Sequence, residues 1–187
     1  MDAYCELRLR PDPEFPATLL MNALFAKLHR ALSAGNETRV GISFPDVEEI
    51  KGTLGPRLRL HGNAEDLARL NAGNWLQGMR DHLCVGEILP VPDNASHRRV
   101  CRVQAKSNPE RLRRRAIRRL NLSPEAAAER IPDHAAERLN LPYLTVHSQS
   151  TDQQFRLFIQ HEALRSEAVP GKFNAYGLSQ TATVPWF

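Results

Sequence analysis

Few cysteines, no long apolar run and no basic block at the start characterise this sequence of 187 residues. The three cysteines, Cys5, Cys84 and Cys101, form an odd set without short paired spacing. That argues against a disulfide framework or a zinc site and is typical of a reduced, cytoplasmic protein. No stretch approaches the roughly 18 consecutive apolar residues of a membrane span. Met1–Tyr4 has no basic segment leading into an apolar core, so we expect neither membrane attachment nor a secretory signal.

Motifs that mark hydrolases and metalloproteins are absent too. No G-x-S-x-G elbow accompanies any serine, which argues against a serine hydrolase. The sequence contains no internal repeats and no low-complexity tract. Six of the histidines show no recognisable ligand spacing: His61, His82, His97, His134, His147 and His161. We therefore expect no bound metal and no cofactor.

Positive charge is concentrated in the second half of the chain. Residues 1–96 carry 10 Lys and Arg against 13 Asp and Glu, whereas residues 97–187 carry 15 against 8. Between Arg98 and Arg119 there are 10 basic residues and a single acid, Glu110. Such a block attracts a polyanion, with counterion release supplying salt-sensitive affinity. Membrane lipid is the weaker candidate, because the block is rich in arginine and lacks the interleaved aromatics of an interfacial helix.

The first half of the chain predicts alternating strands and helices. Its periodicities indicate, in order, strand Tyr4–Leu9, helix Pro16–Ser33, strand Arg39–Phe44, a strand around Leu58 and Leu60, a helix capped by Asn63 that extends towards His82, and an extended segment Leu83–Val91. This order is that of a ferredoxin-like (RRM-like) unit, which we assign to residues 1–95. The order of elements by itself establishes no function.

The second half, residues 96–187, is predicted to be a separate α+β domain, so the fold class is α+β throughout. It opens with an extended stretch, Arg98–Gln104, and continues with an arginine-rich helix. A short helix follows, with Ser123 as its N-cap and Pro124 at its first position. The remaining expected elements are a helix from Asp133 and short β segments at Tyr143–Ser150, Phe155–Gln160, Phe173–Tyr176 and Val184–Phe187.

The helix predicted over Ser107–Leu120 carries an organised charge. Ser107 is a candidate cap, and Pro109 stands where its missing N–H costs nothing. At 100° per residue, five arginines fall within an arc of about 140°. We call them the arginine face: Arg111, Arg114, Arg115, Arg118 and Arg119. Leu112, Ala116 and Leu120 form an apolar stripe on the opposite side of the helix. Arg113 is the one arginine of the helix that projects on the side of this stripe.

Most charge runs are solvated faces, and that is the alternative interpretation of the arginine face. Five arginines at this pitch, however, repel one another, and mixed charges would serve solubility better. A guanidinium group can also donate two parallel hydrogen bonds to one phosphate, which an ammonium group cannot do in the same geometry. We therefore expect the arginine face to bind nucleic acid, although the helix does not distinguish RNA from DNA.

Long blocks of the sequence resemble the repeat-processing endoribonucleases of type I-F CRISPR systems. The blocks are Leu7–Pro16, Arg102–Arg115, Ser148–Thr151, Phe155–Ile159 and Val184–Phe187, in the family's order and spacing. The resemblance implies a metal-independent enzyme that cuts the CRISPR repeat hairpin of pre-crRNA at the base of its stem. The 2′-hydroxyl attacks the adjacent phosphate, leaving a 2′,3′-cyclic phosphate and a 5′-hydroxyl. The mature crRNA then stays bound, together with the other protein subunits of the surveillance complex.

The same resemblance implies catalytic roles for His29, Ser148 and Tyr176. An imidazole titrates near neutral pH and can accept the proton of the 2′-hydroxyl. The serine that matches Ser148 helps to hold that hydroxyl, and Tyr176 matches a tyrosine near the active site. Without the resemblance each has an ordinary structural interpretation, such as a core or hairpin aromatic for Tyr176.

RNA contacts are expected from several further residues. Arg102 and Gln104 are predicted to share a strand face, and their side chains suit guanine and adenine edges respectively. Phe155 matches an aromatic that stacks beneath the last base pair of the stem, with a core residue as the alternative. Ser150 is a candidate phosphate contact, and Ser107 is grouped with the arginine face. The arginine face would supply affinity and register, because A-form RNA hides its base edges in a deep major groove.

Two classes of function remain open at this point. One is the endoribonuclease, and the other is a non-catalytic RNA-hairpin-binding subunit on the same scaffold. His29, Ser148 and Tyr176 together favour the enzyme. A DNA-binding regulator is a distant third, because no dimeric helix-turn-helix pattern is present.

Overall fold

The computed structural model describes residues 1–48, 50–104, 109–132, 139–147 and 153–187, and it is a mixed α+β protein with antiparallel sheets. The described helices are α1 Ala17–Ala34, α2 Ala64–Ala72, α3 Pro109–Leu120 and α4 Pro124–Arg130. The described strands are β1 Ala3–Leu9, β2 Gly41–Ser43, β3 Arg57–Gly62, β4 Leu83–Val85, β5 Leu89–Pro90, β6 Ser96–Arg98, β7 Val100–Val103, β8 Tyr143–His147, β9 Gln154–His161 and β10 Val184–Trp186. No helix among the described residues is long and apolar enough to cross a membrane.

The chain forms two compact units. The first consists of residues 1–102 and 141–187, and the second of residues 103–140. The first unit therefore takes strands from both ends of the chain. The division of the chain into domains 1–95 and 96–187 remains a prediction from the sequence.

The largest sheet of the first unit has the strand order β2-β3-β1-β4, with β5 beside β4 on the same edge of β1. Its pairs are antiparallel, with Cys5 opposite Leu60 and Leu7 opposite both Leu58 and Val85. The alternation predicted for β1 is confirmed, since Cys5, Leu7 and Leu9 are buried while Arg8 is exposed. Alternation of this kind places one face of the sheet on the core.

Helix α1 covers the core with the leucine stripe that its sequence predicts. Leu20, Leu24 and Leu28 are all buried along one side. Helix α2 begins as predicted, because the Asn63 side chain accepts a hydrogen bond from the Asp66 N–H at 2.7 Å. The expectation that this helix extends towards His82 is wrong. It ends at Ala72, where the extended Gly73 follows, and only two single 3₁₀ turns lie beyond it.

Two smaller sheets complete the first unit, one pairing β6 with β10 and the other ordered β7-β9-β8. The predicted stretch Arg98–Gln104 is therefore split between two sheets, and Gln104 lies just beyond β7. The segment predicted as a strand at Phe173–Tyr176 is instead a turn. Leucines from α1, β3, β8 and β9 belong to a single hydrophobic cluster, so the terminal segments share one core.

The second unit contains α3 and α4, which pack against each other. The predicted cap of α4 is confirmed, since Ser123 Oγ accepts a hydrogen bond from the Ala126 N–H at 3.2 Å and Pro124 is the first helical residue. Helix α3 begins at Pro109. Its predicted cap, Ser107, and the helix predicted from Asp133 lie outside the described residues.

Two histidines, His61 and His161, are buried in the first unit. The Oγ of Ser43 lies 2.8 Å from Nε2 of His61, and the Phe44 N–H donates to Nε2 of His161 at 3.4 Å. Burial, which strips water from the charged imidazolium, lowers the pKa of each ring to about 3, and a nearby guanidinium adds to the effect. Both rings are therefore neutral at physiological pH.

Mild acid should destabilise the protein through these two rings. Their pKa is about 3 in the folded protein and 6.5 in the unfolded chain, so between those values the unfolded chain binds more protons. Their contribution to the free energy of unfolding is complete above pH 6.5 and decreases as the pH is lowered. The decrease is about 2 kcal/mol per histidine from pH 7 to pH 5. Urea unfolding at both pH values measures the loss. In His61→Asn, which cannot titrate, the loss should be smaller by about 2 kcal/mol, and an equal loss would contradict the neutral buried state.

Candidate functional site

The imidazole of His29, on the last turns of α1, has two polar neighbours at one ring nitrogen. Its Nδ1 lies 2.8 Å from the carbonyl oxygen of Ala175 and 3.4 Å from Oγ of Ser33. Because a carbonyl oxygen only accepts, this contact assigns the N–H to Nδ1 and leaves the lone pair of the neutral ring on Nε2. The ring is half-buried. Nε2 is thus the nitrogen that can take a proton from a bound molecule.

Tyr176 lies flat against the same imidazole. The two ring centroids are 4.1 Å apart and the planes differ by 15°. Tyr176 is also parallel to Phe25 of α1, with centroids 6.0 Å apart. Phe25 and His29 are four residues apart in one helix and therefore share a face. The structure thus brings together the predicted catalytic residues His29 and Tyr176, and Tyr176 restrains the rotation of the imidazole.

Arg102 and Phe155 form a second group in the first unit. Arg102 is on β7 and Phe155 on the neighbouring strand β9. The guanidinium carbon lies 5.3 Å from the centroid of the phenyl ring, within the range of a cation–π contact. Phe155 is only partly buried and packs against the core cluster. Part of the ring therefore packs on the protein, and part of it is exposed to solvent.

The arginine face is realised on α3 in the second unit. All five of its members are exposed, whereas Leu112, Ala116 and Ile117 on the other side are partly covered. Leu120, the third residue of the predicted apolar stripe, is exposed. A concavity of about 510 Å³ is lined by Arg111, Arg115, Arg118 and Arg119. Four guanidinium groups around one depression concentrate positive potential there. That arrangement suits several phosphates at once.

Arg113, the arginine that the helical projection places on the apolar side, has a structural role. It is partly buried, and its Nε donates a hydrogen bond to the carbonyl oxygen of Ile131 at 2.7 Å. Ile131 is the residue that ends α4. Arg113 therefore joins α3 to the end of α4, where carbonyl groups lack partners within the helix.

Three predicted site residues, Ser107, Ser148 and Ser150, lie outside the described residues. Strand β8 ends at His147, and the N–H of Thr145 in that strand donates to the Asn22 side chain on α1 at 3.0 Å. Gln104 is exposed. Within the described ranges, no three His, Cys, Asp or Glu side chains cluster as metal ligands.

Three groups around His29 were not predicted from the sequence. Phe25 and Ser33 are each one helical turn from it, so the i, i+4 spacing along α1 could have identified them. The carbonyl of Ala175 has no sequence signal, because every residue carries a backbone carbonyl. Only the tertiary contact identifies that group.

Comparisons with known proteins identify the family of this chain. A family model described as "CRISPR-associated protein (Cas_Csy4)" matches residues 4–187. A protein of Pseudomonas aeruginosa (strain UCBPP-PA14) named "CRISPR-associated endonuclease Cas6/Csy4" is 56% identical over the full length of both chains. A protein of the same name from Escherichia coli (strain UTI89 / UPEC) is 49% identical, again over the full length of both. This chain belongs to the Cas_Csy4 family of CRISPR-associated proteins.

Proposed function

We propose that this chain is a metal-independent endoribonuclease that cleaves the CRISPR repeat hairpin at the base of its stem. The observation that carries the proposal is the imidazole of His29, whose Nδ1 faces the Ala175 carbonyl at 2.8 Å. Nε2 is then available as a general base, held in place by the stacked ring of Tyr176. Membership of a family whose relatives are named CRISPR-associated endonucleases supports a nuclease activity.

In the proposed reaction, Nε2 of His29 takes the proton of the ribose 2′-hydroxyl. The 2′-oxygen forms a bond to the adjacent phosphorus, and the bond between phosphorus and the 5′-oxygen breaks. The 5′-oxygen takes up a proton, returned by the imidazolium directly or through water. The products are a 2′,3′-cyclic phosphate and a 5′-hydroxyl. Ser148 holds the attacking hydroxyl, and Tyr176 orients the base.

RNA recognition is divided between two groups of residues. The arginine face contacts phosphates and supplies affinity and register, with Ser107 and Ser150 adding neutral contacts. Arg102 and Gln104 read purine edges near the foot of the stem. Phe155 stacks beneath the last base pair and so sets the distance to the cut. The half-exposed Phe155 beside Arg102 supports this division.

We further propose that the first 95 residues form a ferredoxin-like domain that carries His29, and that residues 96–187 form the hairpin-binding domain. The succession β1-α1-β2-β3-α2-β4 and the sheet order β2-β3-β1-β4 support the first assignment. The protein stays bound to mature crRNA beside the other subunits of the type I-F surveillance complex. Product retention follows from phosphate contacts that the cut does not remove.

The chemistry is tested by incubating the native protein with its repeat hairpin in EDTA. We expect one cut at the base of the stem and none in a hairpin with a single 2′-deoxy nucleotide at the cut site. The deoxy hairpin should bind as tightly as the native one, because only the nucleophile is missing. Tight binding without cleavage of the all-ribose hairpin would sink the proposal and favour the alternative, a non-catalytic hairpin-binding subunit.

A further inference from the structure

We propose that Asn174 is a positioning residue for the cleavage reaction, acting on His29 through the turn that follows it. Its side-chain oxygen holds the turn whose Ala175 carbonyl keeps the proton of His29 on Nδ1. This inference rests on the proposed function, because it assumes that His29 is the general base. It concerns which nitrogen of the ring is free, a property that can be measured without RNA.

The turn at 174–178 is built around the side chain of Asn174. Its Oδ1 accepts two backbone hydrogen bonds, from the N–H of Tyr176 at 2.9 Å and from that of Leu178 at 3.2 Å. The Gly177 N–H closes the turn on the carbonyl of Asn174 at 2.8 Å. Asparagine favours this first position because its short amide can bond to the backbone two residues on. One side chain therefore holds the turn at two points.

The far end of the turn is fastened to the large sheet. The Ile42 N–H donates to the carbonyl of Gly177 at 3.0 Å. Gly177 has a φ of +69°, and a Cβ added there would lie 2.7 Å from a methyl group of Ile42. Only glycine fits so close to β2 in that conformation. Backbone bonds fasten the near end, because the Phe173 N–H donates to the Thr38 carbonyl and the Asn174 N–H to the Leu178 carbonyl, each at 2.9 Å. Between these two ends, the Asn174 Oδ1 adds the bonds to the N–H groups of Tyr176 and Leu178, and the first of these fixes the peptide unit that carries the Ala175 carbonyl.

Two of the groups that restrain His29 belong to this turn. Ala175 supplies the carbonyl that accepts from Nδ1, and Tyr176 supplies the ring stacked on the imidazole. Without the Ala175 contact, the ring is free to carry its proton on Nε2, and in that tautomer Nε2 is no longer a base. Asn174 itself is exposed and does not belong to the core cluster. Its loss should therefore disturb the tautomer and spare the fold.

The test is a series at position 174 with two readouts. Long-range proton–nitrogen spectra of protein with ¹⁵N-labelled histidine distinguish an Nδ1–H ring from an Nε2–H ring, and the His29→Asn spectrum identifies the His29 signals among the seven histidines. In the native protein we expect the Nδ1–H form. In Asn174→Ala the Nε2–H form should become detectable, and the single-turnover cleavage rate should fall about tenfold with little change in hairpin affinity.

Asn174→Asp keeps the acceptor oxygen and should restore both the native tautomer and most of the rate at saturating protein. Asn174→Ser, whose hydroxyl makes the same turn more weakly, should give a cleavage rate and a tautomer ratio between those of Asn174→Ala and Asn174→Asp. It takes the place of the alanine variant if that variant does not fold. A native spectrum together with a native rate in Asn174→Ala would overturn the inference. If the native protein bound RNA without cutting it, the proposed function would fail, and the spectra would still decide what Asn174 does.

Discussion

Replacing His29 with asparagine is expected to lower the single-turnover cleavage rate by about two to four orders of magnitude while hairpin affinity stays nearly unchanged. The asparagine amide can still donate to the Ala175 carbonyl, which accepts from Nδ1 at 2.8 Å in the native protein. It has no atom equivalent to the free Nε2, so the base is lost together with the stacking on Tyr176, while the contact with Ala175 is kept. Rates are measured at saturating protein, and affinities with the 2′-deoxy hairpin that cannot be cut.

His29→Ala is the companion variant, since it removes both the base and the contact with Ala175. Ser33→Ala is the matched control on the same helix face. Its hydroxyl lies 3.4 Å from Nδ1, farther away than the carbonyl, and we expect its rate to stay close to native. Loss of hairpin binding in His29→Asn would show that His29 holds the RNA and does not act as the base. The catalytic assignment would then have to be abandoned.

Neutralising four members of the arginine face, Arg114, Arg115, Arg118 and Arg119, to glutamine should produce the largest loss of RNA affinity. The slope of log affinity against log salt concentration should decrease in magnitude by about one for each phosphate contact removed, or by about three to four in all. The weakening should be similar for hairpins of different stem sequence, because phosphate contacts carry no sequence information. Titrations at several salt concentrations measure the slope.

Arg113→Gln is the matched control for that experiment, since it removes one charge from the same helix on its other side. Its Nε bonds to the carbonyl of Ile131, so the expected effect is weaker protection of α4 against hydrogen exchange. The salt slope should change by less than for any single member of the arginine face. An equal change for Arg113 and, for instance, Arg115 would mean that total charge decides affinity and the helical face does not.

The periodicity of the sequence was sufficient for elements whose pattern is strong. The alternation over β1, the leucine stripe of α1 and the caps of α2 and α4 all follow from local rules, and the structure confirms them. It was insufficient where glycines interrupt an apolar pattern, as after α2, and at Phe173–Tyr176, where the predicted strand is absent and a turn follows Asn174. The structure of those segments depends on backbone conformation, which the spacing of hydrophobic residues does not predict.

The same division holds at the site. Helical geometry alone separated the arginine face from Arg113, because side-chain direction in a helix depends only on position. The resemblance to a family singled out His29 and Tyr176, which lie 147 residues apart in the chain, and only the fold brings their rings to 4.1 Å. No local rule predicts a contact of that sequence separation.

Local patterns in the sequence are sufficient to predict a cationic helix and to identify the CRISPR family that this chain resembles. Both are properties of local pattern, which does not depend on how the chain folds. The contacts of the folded chain establish which nitrogen of His29 is free, because a carbonyl from a distant turn sets the tautomer. They also establish what Arg113 does, since its partner, Ile131, lies at the end of another helix. Hydrogen bonds between distant segments form only once the core has brought those segments together.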